Sequence, residues 1–267
     1  MGGSCCMKII KIFLLLFLVL PHSQAQASGY AQRFLKNYKW IKVQPGYFKY
    51  SIPVLTLQEP LFLEKNIDIT SAFQIGKYEI SNKEWNLCHA AGYCKKVAQL
   101  KEGESAEHPL ARVNWHDAFQ FTSWLSEETG ESYRLPTEAE WLYAVFEGKD
   151  HLQNGRAPLA KRRIAPQKIT LKRGSYGENA WGVNDYFGNI WEWTLTCWHA
   201  SVENLLKERS PQELNSPDAC TIRIVQGQDR AHISDIITDT YNGGCGALQP
   251  MSNLGFRILK DSLKENK

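Results

Sequence analysis

The sequence predicts one domain that mixes short strands with capped helices, and three observations carry that expectation. Aromatic and β-branched runs separated by Pro-Gly or Gly turns read as strands. Three segments open on residues that cap helices, at Ser81, Asn114 and Thr137. No internal repeat, low-complexity linker or second apolar span divides the 267 residues, and nine Trp with eleven Tyr and eleven Phe are enough to fill a sizeable core.

The chain opens with Lys8 and Lys11, an apolar run from Ile12 to Leu20, Pro21 and a small-residue Ala25-Gln26-Ala27 site. That order predicts a secretory signal peptide over residues 1–27, too short in its apolar part to span a membrane, with residues 28–267 as the exported domain. Met7 is as good a start as Met1, and no Cys stands at a lipoprotein cleavage position. Losing two Lys and no acid takes the formal charge from +3 to +1, a balance that argues neither for nucleic acid nor for an anionic membrane. The prediction is an exported protein, periplasmic or secreted, with no transmembrane segment in the mature chain.

From Tyr38 to Tyr50 the pattern predicts paired strands, with Trp40, Ile41 and Val43 before the Pro45-Gly46 turn and Tyr47, Phe48 and Tyr50 after it. Strand and loop continue to about Ile69, and Phe73 to Ile80 reads as a further strand. Ser81 and Glu84 stand at capping-box spacing for a helix that carries Trp85 and Leu87 and closes at Gly92. Asn114 caps a second helix in which Trp115, Ala118, Phe119, Thr122 and Leu125 recur at helical spacing up to Gly130. Thr137 and Glu140 open a third, with Trp141, Ala144 and Val145 as core positions. Short strands are predicted at Ile222–Val225 and at 253–259.

Asn184 to Trp193 is the most informative stretch. Asp185 and Glu192 flank a Gly188-Asn189 turn, and their carboxylates, with turn carbonyls, are the hard oxygen donors that calcium takes. The competing reading is a turn and a core strand, with Asp185 bonding turn amides and Glu192 in a structural ion pair. Cys88 with Cys94 and Cys197 with Cys220 are the simplest disulfide pairs in an oxidising compartment, leaving Cys245 either a reactive thiol or an inert one. The basic run Lys161, Arg162, Arg163, Lys168, Lys172 and Arg173 reads as a patch for an acidic partner or as a solvated loop.

Six blocks in order resemble the formylglycine-generating enzyme (sulfatase-modifying factor) family: Pro45 to Phe48, Tyr78 to Ser81, Val113 to Ala118, Arg134 to Trp141, Gly188 to Trp193 and Gly255 to Arg257. The resemblance covers about residues 38–260. It implies a single compact α+β domain with C-type-lectin-like topology and little regular secondary structure. It also implies a calcium site formed by the side chains of Asp185 and Glu192 and the carbonyls of Gly188 and Ile190. Asp185 stands where the family usually has Asn.

The family's oxidases hold copper(I) with two thiolates, a match of soft ligand to soft metal. The resemblance places those thiolates just after the strand at Ile222–Val225, where this chain has no Cys from Gln226 to Gly244 and where the usual Arg-Gly-Gly-Ser turn reads Gln226-Gly227-Gln228-Asp229. Copper is therefore not expected. Two functions stay open. One is a non-oxidase binding or accessory module presenting Gln228 to Ser252 to a protein, peptide or glycan in the cell envelope or outside. The other is a cell-envelope enzyme oxidising a peptide or small molecule, with His232, Asp235 and Cys245 as candidate catalytic residues.

Overall fold

Four helices among the described residues begin where side chains replace the missing backbone acceptors of the first turn through reciprocal capping boxes: a short one at Pro211–Leu214, capped by Ser210 and Glu213, and the three whose starts the sequence predicts. The computed structural model describes residues 22–54, 61–150, 170–198, 207, 209–227, 244–248 and 250–262. Among these, α2 (Asn82–Ala90) is capped by Ser81, which accepts from the Glu84 amide, while Glu84 accepts from the Ser81 amide at 2.8 Å. Asn114 and Asp117 do the same for α3 (Trp115–Thr129), which stops at Gly130 in the left-handed conformation. Thr137 and Glu140 open α4 (Glu138–Val145). Each cap contributes about 1 kcal/mol, so all three predicted helix starts have a physical cause.

A helix not anticipated from the sequence precedes them. α1 (His22–Asn37) begins inside the segment read as a signal peptide and has no acidic residue in its first turn. Tertiary packing supports it instead: Ala31 and Phe34 are fully buried. Phe34 stacks on Tyr38 at 4.7 Å between ring centroids and meets Phe121 of α3 edge-on at 5.6 Å. Local propensity gives no sign of such a helix because its stability lies in contacts made elsewhere.

The strands form three groups. β1 (Trp40–Val43), β4 (Phe73–Gly76), β10 (Leu259–Asp261) and β5 (Tyr133–Arg134) make an antiparallel sheet in the order β1-β4-β10-β5. Among the described residues β2 (Gly46–Val54) and β3 (Leu61–Ile69) pair only with each other. The third sheet has the order β8-β7-β6-β9, from β8 (Gly244–Gly246), β7 (Ile222–Gln226), β6 (Trp191–Cys197) and β9 (Leu254–Gly255), with β6 and β9 parallel.

Three sequence expectations are corrected here. The segments on either side of Pro45-Gly46 do not pair: Trp40 lies opposite Gly76, and Tyr47 opposite Asp68. A methyl group on Gly76 would stand 2.0 Å from the Tyr38 hydroxyl, so the glycine makes room for the phenol that donates to Tyr78 O at 2.8 Å. The strand expected to reach Ile80 ends at Gly76, because Ile80 turns its amide to Phe256 O and its carbonyl to the Leu110 amide. The strand expected over 253–259 divides, β9 joining one sheet and β10 another. Phe256 to Ile258 cross between the two sheets.

The buried apolar residues fall into two clusters. One gathers α1, α2, α3 and the β6 sheet around Trp85, Trp115, Phe121, Trp124 and Trp193. The other lies between the β2–β3 pair, β4 and α4, around Phe48, Ile75 and Trp141. The predicted disulfides Cys88–Cys94 and Cys197–Cys220 are both present. Phe119, predicted for the α3 core, is half-buried, and Phe121 and Trp124 take the fully buried places.

Glu104 ties the loop after α2 to the segment that leads into the 184–193 turn. It accepts from the Lys101 amide at 2.9 Å, from Arg112 at 2.8 Å and from the Thr170 hydroxyl at 3.0 Å. Burial opposes its ionisation, but these donors prevail and hold its pKa at about 2 rather than 4.5. A carboxyl depressed in this way contributes stability above its ordinary pKa and loses it as pH falls through the folded value. Glu104→Gln is therefore expected to cost about 2 kcal/mol near neutral pH, the scale of hydrogen bonds to a charged group. Denaturant melts should show that difference shrinking as pH falls from about 4.5 to about 2.

Candidate metal centre

The turn and strand from Asn184 to Trp193 are the centre of the molecule. Six of the seven residues of β6 are buried, so its side chains are enclosed on both faces of the sheet. Glu192 points its carboxylate into that interior with 0% exposure. An ionised group so placed must be paired or pay a large desolvation cost. Arg257 supplies the pair, donating from Nε to Oε2 at 2.6 Å and from Nη2 to Oε1 at 2.6 Å. The Trp141 indole adds a third donor at 2.8 Å.

Arg257 is carried by the crossing segment between β9 and β10, and it joins more than one acid to one base. Its remaining N–H groups reach Gly76 O at 3.1 Å, Lys77 O at 3.4 Å and Asn184 O at 3.0 Å. One guanidinium thereby binds the end of β4, the 184–193 turn and β6. Burial works against its charge, and Glu192 more than offsets this, raising its pKa further.

Asp185 lies in the left-handed region at φ 55°, as does Asn189 at φ 60°, a conformation that Asn and Asp tolerate better than other side-chain-bearing residues. Asp185 accepts from the amides of Gly174 and Tyr176, the latter at 2.8 Å. Burial raises its pKa, and those two amides pull it back. Asn189 bonds Leu171 through both atoms of its amide, accepting from N at 3.0 Å and donating to O at 3.2 Å. Gly188, at φ 135°, lies against the Tyr176 ring, where a Cβ would come within 2.8 Å.

Both elements of the structural reading of this stretch are thus present: Glu192 is in an ion pair, and Asp185 bonds amides. Those amides belong to the neighbouring turn rather than to its own. Lone pairs remain nonetheless, because each carboxylate can accept about four hydrogen bonds or metal contacts. Glu79, 0% exposed, adds a third buried acid nearby. Burial pushes its pKa well up, and Asp185 pushes it further. Among the described residues no three His, Cys, Asp or Glu side chains converge closely enough to hold a metal by themselves. A cation here would draw on backbone carbonyls as well.

His232 and Asp235 lie outside the described residues. Cys245 falls on β8, opposite Arg223 of β7. Gln226 ends β7 and donates to Glu138 at 2.8 Å. Of the basic run, Lys161, Arg162, Arg163 and Lys168 are outside the described residues, whereas Arg173 pairs with Glu84 at 2.7 Å. Sequence reasoning quoted Arg257 and Glu79 within motifs and gave neither a role. Their signal was a charge set in an apolar run, as in Gly255-Phe256-Arg257-Ile258-Leu259.

These features define a class: a single α+β domain of short strands and capped helices, organised on a buried Glu–Arg pair. The profile of the Sulfatase-modifying factor enzyme 1-like domain matches residues 25–262, and the chain belongs to that family. It is 29% identical to the formylglycine-generating enzyme of Mus musculus over 188 residues, 59% of this chain and 45% of that protein. It is 25% identical to inactive C-alpha-formylglycine-generating enzyme 2 of Bos taurus over 171 residues, 58% of this chain and 50% of that protein. The chain therefore spans about half the length of the curated relatives it matches. Among solved structures, PvdO from Pseudomonas aeruginosa superposes with a TM-score of 0.63 at 20% identity, covering 84% of this chain and 94% of that one. Treponema denticola variable protein 1 superposes at 0.59 and 19% identity, covering 84% and 95%. Both show the shared fold.

Removing one partner of a buried ion pair leaves the other charge uncompensated, at a cost of about 3–5 kcal/mol. Arg257→Ala is expected to lose about that much in denaturant unfolding. Arg257→Lys should lose less while failing to restore wild-type stability, because an ammonium cannot fork across both oxygens.

Proposed function

We propose that this chain is an exported, non-oxidase member of the family, a binding or accessory module of the cell envelope. One observation carries the reading: no Cys occurs from Gln226 to Gly244, the stretch where the resemblance places the two copper ligands. The strand leading into that stretch keeps its place, with Gln226 held by Glu138. Similarity to inactive C-alpha-formylglycine-generating enzyme 2 is compatible with a domain of this family that works without the oxidase chemistry. The face from Gln228 to Ser252 would meet a protein, peptide or glycan. Two disulfides and the apolar run near the start support export. No helix among the described residues is long and apolar enough to cross a membrane.

Similarity to a formylglycine-generating enzyme favours a second reading, a cell-envelope enzyme that oxidises a peptide or small molecule through His232, Asp235 and Cys245. The two readings part in one assay. The purified exported chain, loaded with copper(I), is incubated under oxygen with cysteine-containing sulfatase-type peptides and read by mass spectrometry. We expect no aldehyde; turnover that Cys245→Ser or His232→Ala abolishes would overturn the non-oxidase reading.

We also propose a structural calcium ion held by the side chains of Asp185 and Glu192 and the carbonyls of Gly188 and Ile190. It would supply positive charge to a buried acidic site and pin the turn. Calcium should raise the thermal midpoint and a chelator lower it, by about 3 kcal/mol of stabilisation at a hundred times the dissociation constant. Asp185→Ala should abolish the difference between the two conditions.

A further inference from the structure

The Cys197–Cys220 disulfide has a cation hydrogen-bonded to one of its sulfurs. Arg209 donates from Nη1 to Cys197 Sγ at 3.3 Å and to Ala219 O at 3.3 Å, while its Nη2 meets Glu213 O at 3.4 Å. Opposite Cys197 in the register of β6 and β7 stands a second guanidinium, Arg223, whose bonds go to the carbonyls of Leu195, Leu214 and Ser216. Among the described residues no carboxylate is bonded to either arginine. A disulfide sulfur is neutral and accepts weakly, so a charged donor aimed at it gains little. The same donor on a thiolate makes a charge-assisted hydrogen bond, which is the stronger kind. Arg209 is thus placed to favour the reduced form of this bond over the oxidised one.

The two sulfurs also differ in access. Cys197 is 4% exposed and Cys220 is only partly buried, so an incoming thiolate meets Cys220 first. Cys88–Cys94 offers the contrast: both residues are buried, and among the described residues no side chain donates to either sulfur. We propose that Cys197–Cys220 is a redox-active clasp opened by a dithiol reductant, with Cys197 as the leaving thiolate held by Arg209. The external thiolate attacks Cys220 Sγ, the S–S bond breaks, and its electron pair stays on Cys197; a stabilised thiolate leaves faster. The reductant's second thiol then resolves the mixed disulfide and releases Cys220, which takes a proton. One dithiol and one disulfide thereby give the oxidised reductant, a thiol at Cys220, a thiolate at Cys197 and one free proton. Reduction removes the covalent tie between the end of β6 and the entry to β7, the strand that leads toward the stretch from Gln228 to Ser252.

The test equilibrates the full exported chain with graded ratios of reduced to oxidised dithiothreitol, traps thiols by alkylation and reads each cysteine by peptide mass spectrometry. Cys197–Cys220 should open at a less reducing ratio than Cys88–Cys94. Arg209→Gln should shift its equilibrium toward the disulfide by about tenfold, which is about 30 mV for this two-electron couple, and leave Cys88–Cys94 unmoved. Arg209→Lys, which keeps the charge, should restore most of the wild-type ratio. A merely structural role predicts the opposite sign, since a looser loop holds the two sulfurs together less well and makes the bond easier to reduce. An opposite shift or none in Arg209→Gln overturns the proposal, as does a wild type in which Cys197–Cys220 opens no earlier than Cys88–Cys94. If Arg209→Gln does not fold, raising the wild type to about 1 M salt gives the same reading, because salt screens a charge that is not fully buried. A shift toward the disulfide is then expected, and no shift overturns the proposal.

Discussion

A carboxylate and a guanidinium with 0% exposure, Glu192 and Arg257, meet through two parallel hydrogen bonds of 2.6 Å, and through them β6, the end of β4 and the 184–193 turn are joined. Glu192 belongs to the sheet of β6, whereas Arg257 sits on the segment crossing to the sheet of β4. Arg257 also bonds carbonyls at Gly76 and Asn184, so its one side chain fixes the relation of two sheets and the turn between them. Trp141 brings α4 to the same carboxylate. Such a pair does not stabilise cheaply, since both charges leave water, and its value lies in specifying which segments must meet.

Around that pair the fold uses aromatic packing where a larger protein would use longer elements. Trp115 donates to Thr194 O at 2.9 Å and Trp193 to Val113 O at 3.0 Å, so each indole fills the core and also satisfies a backbone carbonyl. Arg223 shows the same economy. It lies 3.8 Å over the Trp115 ring and donates to the carbonyls of Leu195, Leu214 and Ser216. Burial, with Arg209 nearby, lowers its pKa to about 10. Irregular segments are held by side-chain donors in place of regular ladders, which is how a domain of short strands keeps its loops in order.

The functional reading turns on the contrast between this scaffold and the stretch it leads into. The scaffold motifs, from Tyr78 to Ser81 through Gly255 to Arg257, keep the family's order, and within them Ser81 caps a helix and Arg257 pairs with Glu192. Cysteine is missing where the resemblance expects thiolates.

What the sequence determined by itself were the features set by local chemistry. Ser81, Asn114 and Thr137 announce helix starts because a cap acts within four residues, and the close cysteine pairs announce their disulfides because proximity in sequence brings them together. The blocks ending in Gly255-Phe256-Arg257 were legible as a family pattern. Tertiary structure decided the rest. α1 is visible only through contacts such as Phe34 against Phe121 of α3, and β1 pairs with β4, where Gly76 leaves room for the Tyr38 phenol. Of the site, Asp185 and Glu192 could be named in advance, but Arg257 and Glu79 could not be assigned to them. They lie 65 and more than 100 residues away in the chain. A buried charge carries no local sign of its partner, and its meaning appears only when the segments that exclude water from it have closed.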